Sequence, residues 1–172
     1  MNPASVGSSG EVAIVVSAKP DTKTFTVVGD PAAQGSKRLV RTKAGRTIML
    51  ENSKKVRPWR TAVAEAAVAS NVRVREGDVE LVAVVRFVRP LSHFRTNGEV
   101  KPSAALRPGR SDSDKLLRAI LDALTGVAYH DDRQVACVAI ERVWCGQGEA
   151  PGATISIRGC DAAGQWSYTP AV

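Results

Sequence analysis

The chain has 172 residues, 44% of them hydrophobic, and carries 24 Lys and Arg against 17 Asp and Glu for a net charge of +7. That length gives one domain with a real core, and the positive excess favours a polyanionic partner without deciding the fold. Cys137, Cys145 and Cys160 form no C-x-x-C, and His93 and His130 stand at no ligand spacing from them, so neither a disulfide framework nor a zinc site is indicated. No run approaches a membrane span and the first residues lack a basic start followed by an apolar stretch, so a soluble, cytoplasmic chain without a membrane partner is expected.

Residues 1–10, MNPASVGSSG, have a disordered composition, and residues 11–16 offer a weak strand that Lys19-Pro20-Asp21 breaks. TFTVVG, 24–29, is β-branched and aromatic and predicts a strand running into the turn GDPAAQGSKR. Residues 37–41 and 47–50, joined around KAGR, read as a hairpin. The positive charge concentrates here: residues 31–60 hold nine basic side chains against Glu51. Alanine-rich spacing from Trp59 predicts a helix with Pro58 in its first turn and Trp59 as its large core anchor.

Residues 79–88 are apolar on both alternating faces, the pattern of a central strand. An irregular stretch, RPLSHFRTNGEVKPSAALRPGR, follows, and a loop of that length in a compact domain is usually functional or disordered. Residues 116–124 are the clearest helix, because Leu116, Leu117, Ile120, Leu121 and Leu124 share one arc while Asp114, Lys115, Arg118 and Asp122 share the other. Gly126 ends it. Residues 134–144 read as another apolar strand with Cys137 in its core, and ATISIR alternates strictly, which predicts a half-exposed strand near a sheet edge.

Five of the 17 acidic residues lie within 109–135, at or between the ends of that helix. Ser or Asp at its start is explained by capping and by the positive helix terminus. Capping does not account for two carboxylates, Asp112 and Asp114, followed by a further pair, Asp131-Asp132, immediately before a buried strand. The helix is about 18 Å long, so the clusters meet only if GVAYH folds the chain back toward the helix start. Three carboxylates meeting in one pocket repel, since ordinary carboxyl groups ionise near pH 4. A divalent cation relieves that repulsion. Oxygen ligands suit Mg²⁺, and such a cation polarises a phosphodiester and activates water for in-line attack, while basic side chains around it hold the rest of a nucleic-acid backbone.

The run Asp112-x-Asp114, KLLRAILDALTG, a short link and DDRQV resembles the signature of RusA-type Holliday junction resolvases. GDPAAQGSKR and SHFRTNGEVKPSA resemble the early and middle loops of the phage and actinobacterial branch, so the likeness covers most of the chain from Phe25. It implies an α/β (α+β) fold: a single small domain at 23–172, a mixed sheet packed by two main helices, after a partly disordered extension at 1–22. The implied activity is endonucleolytic: a homodimer that cuts four-way junction DNA symmetrically with Mg²⁺, or Mn²⁺ in its place, and no small-molecule cofactor. Carried over by position, Asp112, Asp114 and Asp132 match the catalytic metal-binding aspartates, and Arg118 matches the basic helix residue. Lys115 stands where many members have Asn, and Arg118 where many have Lys.

Other roles follow from the residues. Arg118, four residues from both Asp114 and Asp122, either contacts a phosphate or forms a surface ion pair. Asp122 is expected to orient Arg118. Asp131 is a turn residue, a metal ligand or a group that orients one. Lys37, Arg38, Lys115 and Arg110 are candidate DNA-backbone contacts, with a solvated basic surface as the alternative, and His130 is more often an incidental loop histidine than a general base. A non-catalytic module for branched DNA and a nuclease of broader substrate range are the rival functions.

Overall fold

The computed structural model describes residues 21–35, 37–41, 45, 47–51, 54–109 and 111–160, giving the backbone path alone for 37–40 and 48–51. The elements are β1 (Lys23–Val28), β2 (Lys37–Arg41), β3 (Thr47–Glu51), α1 (Val56–Ala69), β4 (Val79–Phe87), α2 (Ser113–Leu124), β5 (Val135–Trp144) and β6 (Gly152–Gly159). The four-stranded sheet has the order β1-β6-β4-β5, and β2 and β3 form a separate antiparallel hairpin. Among the described strands only β4 and β5 pair in parallel, and α2 is the crossover between them. The sheet is therefore mixed, with helices packed on one side, and the expected α+β single domain is what the chain forms. The weak strand expected at 11–16 lies outside the described residues.

Each helix forms where apolar side chains recur at helical spacing. In α1, Val56, Trp59, Val63 and Ala67 are buried, and in α2, Leu116, Ala119, Ile120, Ala123 and Leu124. They close over Leu81, Ala83 and Val85 of β4 and Ile155 and Ile157 of β6, all with 0% exposure. Fully burying one such aliphatic side chain contributes about 1.5–3 kcal/mol. Tyr129, also completely buried, donates its hydroxyl to the carbonyl of Leu121 at 2.9 Å, which ties the link after α2 back onto the helix.

The position expected for ATISIR is corrected by the sheet. β6 pairs with β1 on one side and β4 on the other and is buried along most of its length. Its polar residues satisfy one another on the second face of the sheet. Thr24 and Ser156 hydroxyls are 2.8 Å apart, Arg86 donates to Thr154 Oγ1 at 2.7 Å, and Arg158 donates to Glu80 Oε2 at 2.6 Å. Alternation thus marked two unlike faces rather than an exposed one. The edge opposite β1 is β5, the strand whose sequence is mostly apolar. At the start of β6, a Cβ on Gly152 would lie 1.9 Å from the Val27 carbonyl oxygen, so only glycine lets β1 approach there.

Candidate active site

Asp112 is the N-cap of α2 with extended backbone angles, yet its side chain caps nothing. Its Oδ2 instead accepts from Lys115 Nζ at 2.6 Å, both side chains being largely exposed. That hydrogen bond, then the Lys115 charge, holds the Asp112 carboxyl below its usual range, and the same pairing raises the Lys115 ammonium. Asp114 is exposed in the first turn. Two anchors fix this end of the helix. Gln34 of the turn after β1 donates its backbone amide to the Lys115 carbonyl at 3.0 Å, and Arg142 of β5 donates to the carbonyl of Ser111. Arg142 also helps lower Asp112.

At the other end, Gly126 adopts φ 78°, a left-handed turn that glycine takes without strain, and the chain passes buried Tyr129 into a short 3-10 turn, Asp132–Gln134. Asp131 caps that turn. Its carboxylate accepts from the Arg133 amide at 2.9 Å and from the guanidinium at 2.9 and 3.0 Å, while Gln134 Oε1 accepts from the Asp131 amide at 3.1 Å. The Arg133 hydrogen bonds hold the Asp131 carboxyl down to about 2. Of the roles open to Asp131, turn formation is the one its contacts perform. Asp132 is exposed at the first position of the turn, and its charge adds to burial in raising the Tyr129 hydroxyl well above its ordinary range.

The two acidic clusters do not meet within one chain. α2 spans 12 residues, about 18 Å, and β5 returns parallel to β4, so its start lies at the far end of the layer. Asp112 neighbours Arg142, whereas Asp132 precedes Val135, and Val135 to Arg142 is about 23 Å of extended strand. Among the described residues, no group of three His, Cys, Asp or Glu is placed to hold a metal ion. GVAYH leads into a parallel strand and so cannot fold Asp132 back onto the start of its own helix. Exposed carboxylates are the hard oxygen ligands that Mg²⁺ takes, and here they stand in two groups at opposite ends of the layer.

A family model described as endodeoxyribonuclease RusA matches residues 29–158. The chain belongs to the RusA endodeoxyribonuclease family. A search of curated proteins gives no match. The matched span runs from the turn after β1 into β6 and includes both acidic clusters. Membership implies an endonuclease that resolves Holliday junction DNA.

Other residues of this RusA-family chain fall as follows. Asp122 does not orient Arg118: it forms an ion pair with Arg60 on α1, locking the two helices together. Arg118 is exposed on α2. His130 Nε2 lies 3.2 Å from Glu76 Oε1, a surface contact away from Asp112. Lys37 and Arg38 lie on β2, whose side chains, like the whole of Arg110, fall outside the described residues. Two groups carried no sequence signal strong enough to single out. Arg142 is, with Glu141, one of two charged residues in an otherwise apolar strand. Gln34 is buried beside the start of α2, and its Oε1 has no hydrogen-bond partner among the described residues.

No helix of the described residues is long and apolar enough to cross a membrane. The middle loop is ordered against the end of β5: Trp144 Nε1 donates to the Ala105 carbonyl at 2.9 Å, Arg89 stacks over the Trp144 ring and Arg107 pairs with Glu141. Composition left open whether this loop was disordered. Its contacts place it beside Ser111 and the start of α2.

Proposed function

We propose that this chain is a Mg²⁺-dependent Holliday junction resolvase of DNA recombination and repair, with Mn²⁺ able to replace Mg²⁺, and that it acts as a homodimer. Each catalytic centre is completed across the dimer, with Asp112 and Asp114 of one subunit facing the partner subunit's Asp132. The observation that carries this reading is the separation of the clusters along one layer. A two-fold axis exchanges the two ends of that layer, so the same operation that pairs two chains builds two complete acidic sets.

The metal would supply charge neutralisation of the phosphodiester and activation of water. Asp112 and Asp114 would hold it from the start of α2, where the Asp112 side chain is not spent on capping. Lys115 holds the Asp112 carboxyl below its usual range in the free protein and, once displaced, would be free to contact a DNA phosphate on the same surface. Arg118, one turn further on the exposed side, contacts the backbone or the charge developing at the scissile phosphate. Lys37, Arg38 and Arg110 belong to the basic stretches that hold the flanking arms. A four-way junction offers two equivalent strands, and paired nicks by two identical centres leave ligatable duplexes.

The test is cleavage of four-way, three-way and linear DNA with Mg²⁺, Mn²⁺ or chelator. Symmetric nicks confined to the four-way substrate and abolished by chelation are expected. Binding without cleavage would make the chain a non-catalytic module, and equal cutting of all substrates would make it a nuclease of broader range.

A further inference from the structure

We infer that Arg142 of β5 is a positioning residue for the proposed metal centre: by bonding the carbonyl of Ser111, it fixes the direction in which the Asp112 carboxylate leaves the chain. The inference rests on the reading of Asp112 as a metal-holding residue and names the side chain that keeps it in place.

Arg142 pairs with Val85 in the parallel register, so it lies half-buried on the helix-bearing face of the sheet. Its guanidinium donates to the Ser111 carbonyl, 31 residues away in sequence. Among the described residues that carbonyl is its one hydrogen-bond partner. The carbonyl belongs to the peptide plane joining Ser111 to Asp112, and a peptide plane moves as a rigid unit. Holding its oxygen therefore holds the Asp112 amide, and with it the Asp112 φ of −68°. The next plane is held as well, because the Asp112 carbonyl accepts from the Leu116 amide at 3.1 Å in the first turn of α2. Both soft torsions of Asp112 are thus set, and its side chain stays off the helix amides, where a cation can reach it.

Only one of these two holds is local. The Leu116 bond comes with α2 itself, whereas the peptide before Asp112 ends a long irregular segment. That segment is strapped to the end of β5 by three contacts: Trp144 Nε1 donates to the Ala105 carbonyl at 2.9 Å, Arg107 pairs with Glu141, and Arg142 bonds Ser111. Of the three, the Arg142 bond is nearest Asp112. Lys115 acts differently. It meets the carboxylate itself at 2.6 Å and must leave when a cation arrives, while the Arg142 bond is to backbone and need not break.

The test uses the full-length chain with Arg142→Met, which removes the donor but keeps a long side chain, and Arg142→Lys, which keeps a charged donor. For Arg142→Met, single-turnover cleavage of a four-way junction at saturating DNA and Mg²⁺ is expected to fall about tenfold to hundredfold, as for a misplaced reacting group, with junction affinity within about threefold. Nitrogen relaxation of the backbone amides in the metal-free protein reads the position separately from activity. The Asp112 order parameter is expected to fall from about 0.85 to below about 0.6, with that of Ile120 unchanged. Arg142→Lys is expected to restore the order at Asp112 and most of the rate. Wild-type rate and order in Arg142→Met overturn the inference. So does a slow Arg142→Met whose Asp112 amide stays ordered. A loss of affinity with the salt dependence reduced by about one counterion makes Arg142 a phosphate contact instead and also overturns it. If Arg142→Met does not fold, Arg142→Lys decides: ordered at Asp112 and active, it supports the inference; ordered there and inactive, it overturns it. A wild type that cuts no substrate refutes the proposed function, and the order parameters then still decide whether Arg142 holds Asp112.

Discussion

Lys115 sets its ammonium 2.6 Å from the carboxylate of Asp112, inside the set of residues proposed to receive a divalent cation. The free protein thus satisfies Asp112 with a built-in cation, and a metal must displace it. Replacing that charge should favour the metal and cost DNA affinity. Lys115→Gln is expected to tighten Mn²⁺ binding about threefold to tenfold, as removal of one nearby positive charge in water does, and to lower the salt dependence of junction binding by about one counterion. Calorimetric titration with Mn²⁺ and binding at several salt concentrations check both. An unchanged Mn²⁺ affinity would mean that the pair is only a surface contact.

Asp112→Asn and Asp132→Asn should each reduce junction cleavage to background while junction affinity stays within about threefold, because neither carboxylate holds the fold and both are exposed. Single-turnover cleavage and gel-shift binding measure the two separately. Equal loss of both would assign these residues to DNA contact or folding.

The Asp21 carboxylate supplies a separate pH signature. It is bonded by Arg75, and that hydrogen bond, with a smaller contribution from the Gly159 amide, holds it below its usual range. A carboxyl depressed in the folded state contributes stability that is present above its unfolded value near 3.9 and lost as pH falls through the folded value. Carbon-detected NMR titration should place Asp21 below the ordinary aspartate midpoint, and Arg75→Ala should restore it. An ordinary midpoint in the unsubstituted protein contradicts this.

Glu80 and Arg158 form the most enclosed ion pair among the described residues, with side-chain exposures of 19% and 7%. Removing one partner leaves the other's charge without its main counterion. Glu80→Leu is expected to cost about 3–5 kcal/mol, and adding Arg158→Met should recover much of it. Urea denaturation of both variants gives the comparison.

The sequence made α2 legible because five apolar residues recur on one arc, and it made β4 legible because both of its faces are apolar. β6 misled because Thr154, Ser156 and Arg158 are polar but bonded to neighbours, and alternation alone does not distinguish a wet face from a satisfied one. The acidic residues were visible as a set, but not their separation. That depends on the direction of β5, and a strand's direction relative to a distant partner leaves no local mark. Likewise nothing near Asp122 announced Arg60, which is 62 residues away.

The central claim, a catalytic centre completed by two chains, is tested most directly by mixing two inactive proteins. One carries Asp112→Asn with Asp114→Asn, the other Asp132→Asn, and the heterodimer is purified through different affinity tags. If the centre is shared, one site of each heterodimer regains all three aspartates, and the mixture should nick one strand of a four-way junction in Mg²⁺ although neither parent does. A heterodimer as inactive as its parents would contradict the claim, because a centre contained in one chain would be damaged in both.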